Sequence, residues 1–216
     1  MISDRSEVYI VKDDGPTRQA LTSLFSAAGI LSRTFDGGND FLTACDGLPP
    51  GCIVTSLRTG DMDAPEFLRR LSARPLSVPA IVIASRGEVQ QTVEAMKAGA
   101  ATVLERPYGD EALIDAVRSA LHVSARTAAQ TAQRRLLAAL TPREREVLTG
   151  LVEGKTNQMT ARHLGISQRT VEVYRASMMK KTGVVSVAEL VRLTVGARQS
   201  RGLDRGAAST TEGETC

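Results

Sequence analysis

Arg169, Glu172, Val173, Ala176 and Lys180 fall on one side of a helix when the stretch QRTVEVYRASMMKK is wound at about 100° per residue. A guanidinium or an ammonium reaches phosphates or guanine edges, and a carboxylate accepts from a cytosine amino group. Small apolar side chains such as Val173 and Ala176 meet thymine methyls. Such a face suits the major groove of DNA, but it suits the surface helix of an ordinary bundle as well, and the surrounding sequence has to decide. Lys155 and Thr170 are candidate positioning contacts to the phosphate backbone. Tyr174 serves either that role or the core. Arg175 lies to the flank, where it touches phosphate or pairs with a nearby acid.

A second set of chemically capable residues lies in the first half of the chain. Lys12-Asp13-Asp14, Ser56, Ala84-Ser85 and Glu105-Arg106-Pro107 each follow a short apolar run. An enzyme or a small-molecule sensor could be built on Asp13, Ser56 and Arg106. The chain has only two histidines, however, His122 and His163, both on expected helices away from Ser56. No Ser-His or Cys-His constellation is visible, and no enzyme is expected. Cys45, Cys52 and Cys216 are far apart and without C-x-x-C spacing, so neither a disulfide framework nor a zinc site is indicated. They read as two packing residues and a tail residue.

The elements that must position these residues follow from apolar periodicity. Runs at 8–11, 31–35, 52–55, 80–84 and 102–104 alternate with helical patterns at 16–28, 39–45, 65–73, 89–98 and 110–121. Five β/α units with short connections imply a five-stranded parallel, doubly wound α/β domain over residues 1–121. Ligands of such sheets bind at the carboxyl ends of the strands, which is where the second set of residues falls.

From Asp110 to Leu140 the chain contains neither Gly nor Pro, so one long helix should continue through a linker at 122–140. Leu113, Val117 and Leu121 offer a seam that lapses at Ser124 and Ala128, favouring a plain helical spacer over a coiled coil. Thr141-Pro142-Arg143-Glu144 is a capping box with proline at the first helical position. That helix should bury Val147, Leu148, Leu151 and Val152 and stop at Gly154, with Thr156 capping the next. Met159, Ala161 and Leu164 give the next helix an apolar stripe, Gly165-Ile166 makes the turn, and Ser167 caps the segment that carries the outward face. Val171, Tyr174 and Met178 lie on its inner side. Ser186 to Glu189 repeats the capping-box spacing before a fourth helix with Leu190, Val191, Leu193 and Val195. The expected second domain is therefore a small all-α, four-helix helix-turn-helix domain at 141–198. Residues 199–216 carry almost no apolar payload and should be a disordered tail.

The charge supports a polyanionic partner for the second domain. The net charge of +3 divides unevenly: residues 1–121 hold 12 Lys/Arg against 16 Asp/Glu, and residues 122–198 hold 13 against 5. The apolar run within MISDRSEVYIVKDD is too short for a signal peptide or a membrane span, so a cytoplasmic protein without a membrane partner is expected.

Several stretches resemble the FixJ-like, LuxR-type response regulators, and the resemblance runs from Val8 to about Ala197. In the second half it is carried by LTPREREVL at 140–148, ARHLGIS at 161–167 and RTVEVYRASMMKK at 169–181. In the first half it rests on VYIVKDD, GCIVTSLRTGDMDAPEFL, PAIVIASRGEV and AMKAGAATVLERPY. The resemblance implies a receiver domain joined to a DNA-binding helix-turn-helix domain, with double-stranded DNA as partner. It also implies a homodimer, through 89–98 and 102–105 of the receiver-like domain and through the last helix at 187–197.

Carried over residue by residue, the receiver chemistry of the family is incomplete. The family phosphorylates an aspartate after the third strand, and that aspartate and two acids after the first strand hold Mg²⁺. Here Lys12 stands at the first acid, leaving Asp13, and Ser56 stands at the acceptor. Ala84 replaces a hydroxyl residue, Arg106 replaces a lysine, and Val103 replaces an aromatic switch residue. A serine cannot form an acyl phosphate, and Mg²⁺ needs carboxylate charge to be held. The expectation is a pseudo-receiver without metal, cofactor or phosphoacceptor, its crevice held by pairs such as Lys12 with Asp13, and controlled independently of phosphorylation. The alternative is an interaction protein whose pseudo-receiver titrates a kinase or another regulator. Thr182 is a further departure, standing where the family places a larger apolar residue.

Overall fold

A computed structural model of the chain describes residues 6–74, 76 and 78–194. The chain divides into two compact units after Ala128. The first unit is a five-stranded parallel sheet in the order β2-β1-β3-β4-β5. Its strands are β1 (Glu7–Val11), β2 (Ser32–Phe35), β3 (Gly51–Ser56), β4 (Ala80–Ala84) and β5 (Thr102–Glu105). They alternate with α1 (Gly15–Ala27), α2 (Gly38–Ala44), α3 (Ala64–Ser72), α4 (Val89–Lys97) and α5 (Asp110–Ala138). The doubly wound sheet expected from the apolar runs is thus the observed one.

Strand period 2 sorts the core into two layers. Val8, Ile10, Cys52, Val54, Ile81 and Ile83 face one side, where Leu21 and Phe25 of α1 and Leu113, Val117 and Leu121 of α5 cover them. Tyr9, Val11, Ile53, Ala80 and Val82 face the other, against Phe41, Leu42, Phe67, Leu68 and Ala95 of α2 to α4. Tyr9, Phe35, Phe41 and Phe67 interlock there at ring-centroid distances of 5.1 to 6.1 Å. Cys45 and Cys52 are buried packing residues, and burial pushes the Cys52 thiol up to about 12. Cys216 lies outside the described residues.

The crossovers deliver the ends of the strands to one edge. Asp61, in the β3–α3 connection, accepts from the Gly38 and Asn39 N–H groups (2.9 and 2.8 Å) and from the Thr59 hydroxyl (3.0 Å). Burial raises its carboxyl, yet these bonds hold it below the usual range, so the loop stays pinned to the N-terminus of α2 by a charge. The helix α5 runs unbroken to Ala138, with Ser124 buried three residues past Leu121. Among the described residues no helix is long and apolar enough to cross a membrane.

In the second unit, α6 (Pro142–Val152), α7 (Asn157–Leu164) and α8 (Gln168–Thr182) are followed by helical residues 187–194, labelled α9. The Thr141–Glu144 capping box is present, with bonds of 3.3 and 2.7 Å. Gly154 follows α6 at φ 74°, and the Thr156 hydroxyl caps α7 by accepting from the Met159 N–H (3.2 Å). Ser186 accepts from the Glu189 N–H (3.2 Å), but the Glu189 carboxylate returns to Val185 rather than to Ser186, one residue short of the expected reciprocal box. Leu140, Val147, Leu148, Ala161, Val171, Met178 and Leu190 form the core, and Gln133 of α5 donates to the Leu193 carbonyl. Met159 is a correction: it is 56% exposed, and Thr160, Ala161 and Leu164 supply the inner face instead. Two positions at about 100° each put Met159 roughly opposite Ala161, so the two cannot share a stripe. Val195, the remainder of the fourth helix and the tail at 199–216 lie outside the described residues.

Candidate nucleic-acid interface and strand-end crevice

Helix α8 is bounded on both sides by sequence-encoded stops. The Ser167 hydroxyl accepts from the Thr170 N–H (3.0 Å) at its start, and Gly183 closes it at φ 71°. The tight turn before it depends on Gly165, at φ 66°, a conformation that side-chain-bearing residues rarely adopt. Between these limits Val171 and Met178 are fully buried and Tyr174 is half-buried against the same core. Arg169, Glu172, Val173, Ala176 and Lys180 are all exposed, on the side the winding placed them.

What fixes the helix about its axis is a buried acid. Glu144, at the N-terminus of α6, is 2% exposed and accepts from the Ser177 hydroxyl (2.7 Å), the Lys181 ammonium (2.8 Å) and the Thr141 N–H (2.7 Å). Burial works to raise its carboxyl, but these bonds, led by Lys181, hold it down at about 2. The acid is therefore charged at any physiological pH and clamps the flank of α8 opposite Arg175. Sequence reasoning used Glu144 only as a cap; the readable signal was Ser177 and Lys181, four apart on one flank of α8.

The remaining expected contacts divide. Arg175 bonds the Asn157 amide oxygen (2.5 Å), neither an acid nor open solvent, and so ties α8 to the first turn of α7. The Thr170 hydroxyl lies 2.8 Å from that of Ser167 within the cap. Lys155 pairs with Glu153 at 2.7 Å on the surface. Gln168, exposed in the first turn of α8 with its amide 3.4 Å from Glu172, was missed; its amide makes it a base-reading candidate beside Glu172. Thr182 is buried with its hydroxyl donated to the Met178 carbonyl (2.7 Å), which explains how a polar residue closes this core.

At the other site, the carboxyl ends of the strands frame a crevice of about 260 Å³. Its lining includes Lys12, Asp14, Ser56, Arg58, Glu88 and Arg106. Of the five residues expected there, Lys12, Ser56 and Arg106 line it; Ala84 is buried, and Asp13 is exposed and is not among the lining residues. A Cβ on Gly60 would sit 2.7 Å from that of Asp13, so the left-handed Gly60 (φ 83°) lets the β3–α3 loop pack against this aspartate. The expected Lys12–Asp13 pair is consequently not formed. Lys12 is 6% exposed, and among the described residues no carboxylate stands within ion-pairing distance of it. Burial, and then Arg106, pushes its ammonium below the usual lysine range.

The other groups of the crevice are engaged locally. The Ser56 hydroxyl donates to the Arg58 carbonyl (2.6 Å), Arg106 lies 6.0 Å from the centre of the Tyr108 ring, and the Arg106-Pro107 bond is cis. Asp14 accepts from the Thr17 hydroxyl, which holds its carboxyl below the usual range, and Glu88 accepts from the Ser85 N–H (2.6 Å). Arg58, Asp14 and Glu88 were not foreseen, because their places depend on loop paths rather than on periodicity. The donor set does not fit a magnesium ion: an ammonium stands where one carboxylate is needed and a serine where another is needed.

With this geometry in view, similarity to known proteins covers both units. Residues 8–118 match the response regulator receiver domain, and residues 138–194 match the bacterial regulatory proteins of the luxR family. The chain is 38% identical over 200 residues to the transcriptional regulatory protein FixJ of Bradyrhizobium diazoefficiens, covering 91% of this chain and 98% of that one. It is 41% identical over 192 residues to FixJ of Azorhizobium caulinodans, covering 87% and 91% of the two chains. Among solved structures, full-length FixJ from B. japonicum superposes with a TM-score of 0.56 at 36% identity, over 91% of this chain and 98% of that one. The response regulator StyR superposes with a TM-score of 0.65 at 36% identity, over 88% and 98%.

Proposed function

The chain belongs to the FixJ-like, LuxR-type response regulators, which are DNA-binding transcription regulators, and on that premise we propose that its receiver-like domain governs sequence-specific DNA binding without being phosphorylated. The observation that carries this reading is the pairing of Lys12 and Ser56 in the strand-end crevice: a buried ammonium where a metal-binding acid would stand, and a locally bonded hydroxyl where an acceptor carboxylate would stand. A serine with neither metal nor adjacent base has nothing to activate it. Control then has to come from assembly or from a partner. A homodimer is supported by α4, where Val89, Val93 and Met96 expose an apolar stripe at i, i+4 and i+7. Helix α9 is the second candidate contact between copies.

In the second unit, Arg169 and Lys180 neutralise phosphates or read guanine, Glu172 and Gln168 read base edges, and Val173 with Ala176 meets thymine methyls. Lys155 and Thr170 position the backbone, whereas Arg175 acts by holding α7 against α8. Domain limits of 1–121, 122–140, 141–198 and 199–216 belong to the same proposal, as does a cytoplasmic site of action beside the chromosome. No catalytic role is assigned. Incubation with Mg²⁺ and acetyl phosphate, followed by intact-mass measurement, tests the reading: no adduct is expected, and a stoichiometric phosphate adduct on the first unit would sink it. Gel shifts of the unphosphorylated full chain on chromosomal fragments should show specific retardation.

One observation favours a second reading, in which the pseudo-receiver titrates a kinase or another regulator. A groove of about 800 Å³ between α1 and the start of α5 is lined by Pro16, Ala20, Leu24, Pro107 and Tyr108. Deleting residues 1–121 separates the readings. Genome-wide occupancy that is redirected or deregulated favours the transcription regulator, and unchanged occupancy favours the interaction protein.

A further inference from the structure

Helix α8 opens on a side-chain pair that neither its caps nor its core uses. Gln168 is its first residue and Glu172 stands four further on, so one turn brings both to the same side, and both are exposed. The Gln168 Nε2 amide donates to Glu172 Oε1 (3.4 Å). Chemistry settles which end of the amide faces the acid, because a carboxylate only accepts and the amide oxygen would be repelled. One amide hydrogen is therefore engaged, while the other hydrogen and the amide oxygen stay available to a ligand. Glu172 Oε2 has no partner among the described residues. The helix that carries the pair is held against rolling: Glu144 grips Ser177 and Lys181, Arg175 grips Asn157, and the Ser167 hydroxyl fixes the first turn.

We propose that Gln168 and Glu172 form one reading unit that selects an adenine and a cytosine within two base-pair steps of each other in the operator, with Glu172 both orienting the glutamine and accepting from the cytosine. The inference rests on the reading that α8 enters the major groove, and it names the bases that this end of the helix requires. In that groove adenine sets an N7 acceptor beside its N6 amino donor, and cytosine offers an N4 amino donor alone. Guanine and thymine present acceptors. The free hydrogen and oxygen of Gln168 match adenine. The free oxygen of Glu172 matches the cytosine amino group and is repelled by guanine O6 and N7 or thymine O4, so it selects by rejection as well as by attraction. Residues four apart lie about 6 Å apart along a helix, against about 3.4 Å for one base-pair step, which sets the two-step limit. The two roles of Glu172 make the unit asymmetric. Losing Glu172 loosens both bases, whereas losing Gln168 loosens the adenine alone.

The test is selection from random duplexes by the unphosphorylated full chain, native and as Gln168→Ala, Glu172→Ala and Glu172→Gln, followed by affinity measurements on the selected half-site carrying base analogues. 7-Deaza-adenine removes N7, and N4-methylcytosine replaces the amino hydrogen that faces the major groove; both keep their base pairing. One adenine and one cytosine, no more than two steps apart, should each cost the native chain about tenfold in affinity on their analogue. Gln168→Ala should become indifferent to the deaza-adenine and keep the cytosine, and Glu172→Ala should relax both. Glu172→Gln, whose amide oxygen still receives from Gln168, should keep the adenine and admit guanine in place of the cytosine. Both positions are exposed, so these variants retain the fold, which circular dichroism checks. A half-site unmoved by both analogues, or a Glu172→Ala variant with the native adenine preference, overturns the proposal. Failure of the native chain to select any sequence removes the reading that α8 recognises DNA, whereas selection that none of the variants alters removes this inference alone.

Discussion

Two buried charges, one in each unit, are treated in opposite ways. Glu144 is enclosed by three donors from two elements, and its bonds outweigh the desolvation that burial imposes. Lys12 is enclosed almost as well, but among the described residues no carboxylate lies within ion-pairing distance, and desolvation outweighs the attraction of Asp14 and Asp13. The difference separates a charge used as a structural clamp from a charge left facing a cavity. In the second unit the clamp sets which side of α8 meets the outside, and caps, core and outward face all agree. In the first unit the sheet delivers its strand ends to a crevice lined by Lys12, Arg58 and Arg106 together with Asp14 and Glu88.

The comparison is broken most severely at Glu144. Glu144→Ala leaves Lys181, Ser177 and the Thr141 N–H without their acceptor, and removing one partner of a buried charged cluster costs about 3 kcal/mol or more. Denaturant unfolding should show that loss in the second unit, with specific DNA retardation abolished. A pH dependence goes with it. The folded carboxyl sits at about 2 against an ordinary 4.5, so its stabilisation is complete above about 4.5 and fades as pH falls towards 2. Acid titration followed by circular dichroism should find the native second unit losing stability over that window. Identical acid curves for native protein and variant would refute the clamp.

The other regions give smaller effects. Val93→Glu on the exposed stripe of α4 should raise the dimer dissociation constant tenfold or more in sedimentation equilibrium, about 1.4 kcal/mol, without unfolding the sheet. An unchanged constant would remove α4 from the interface. On the outward face of α8, Arg169→Ala should weaken DNA binding by about 1–2 kcal/mol and flatten its salt dependence. Glu172→Ala should instead change base preference in a binding-site selection. Equal loss on all sequences would contradict its assignment as a base reader.

Much of this was legible beforehand, for identifiable reasons. The central strands β1, β3 and β4 were readable because both of their faces are covered, giving continuous apolar runs such as AIVIA at β4. The helix starts were readable because Thr141, Thr156 and Ser167 cap by local bonds that need no tertiary contact. Glu144 as a clamp was not, since its partners lie 33 and 37 residues away. Met159 was misplaced by treating positions two apart as one face. At the crevice the residue types themselves were plain, but the close packing of Asp13 against Gly60 joins two different loops. No spacing rule carries that information.

Lys12→Met sharpens the contrast with the smallest expected change and the opposite sign. The lysine stem already packs within the fold, so a methionine keeps most of its contacts while removing a desolvated charge and its repulsion with Arg106. Replacing a poorly compensated buried charge by an apolar group of similar length is neutral to stabilising, by about 1 kcal/mol. Unfolding of the first unit at neutral pH, in phosphate-free buffer, should therefore shift to slightly higher denaturant with the m-value unchanged. The native protein should also gain on this variant in reverse as pH rises. Its lysine has a lowered folded value, so the penalty is present while the ammonium persists and is relieved as pH climbs through that value towards 10.5. The gap between the two proteins should narrow over that range. A variant destabilised by 2 kcal/mol or more would mean that Lys12 has a structural partner after all, and the contrast with Glu144 would fall.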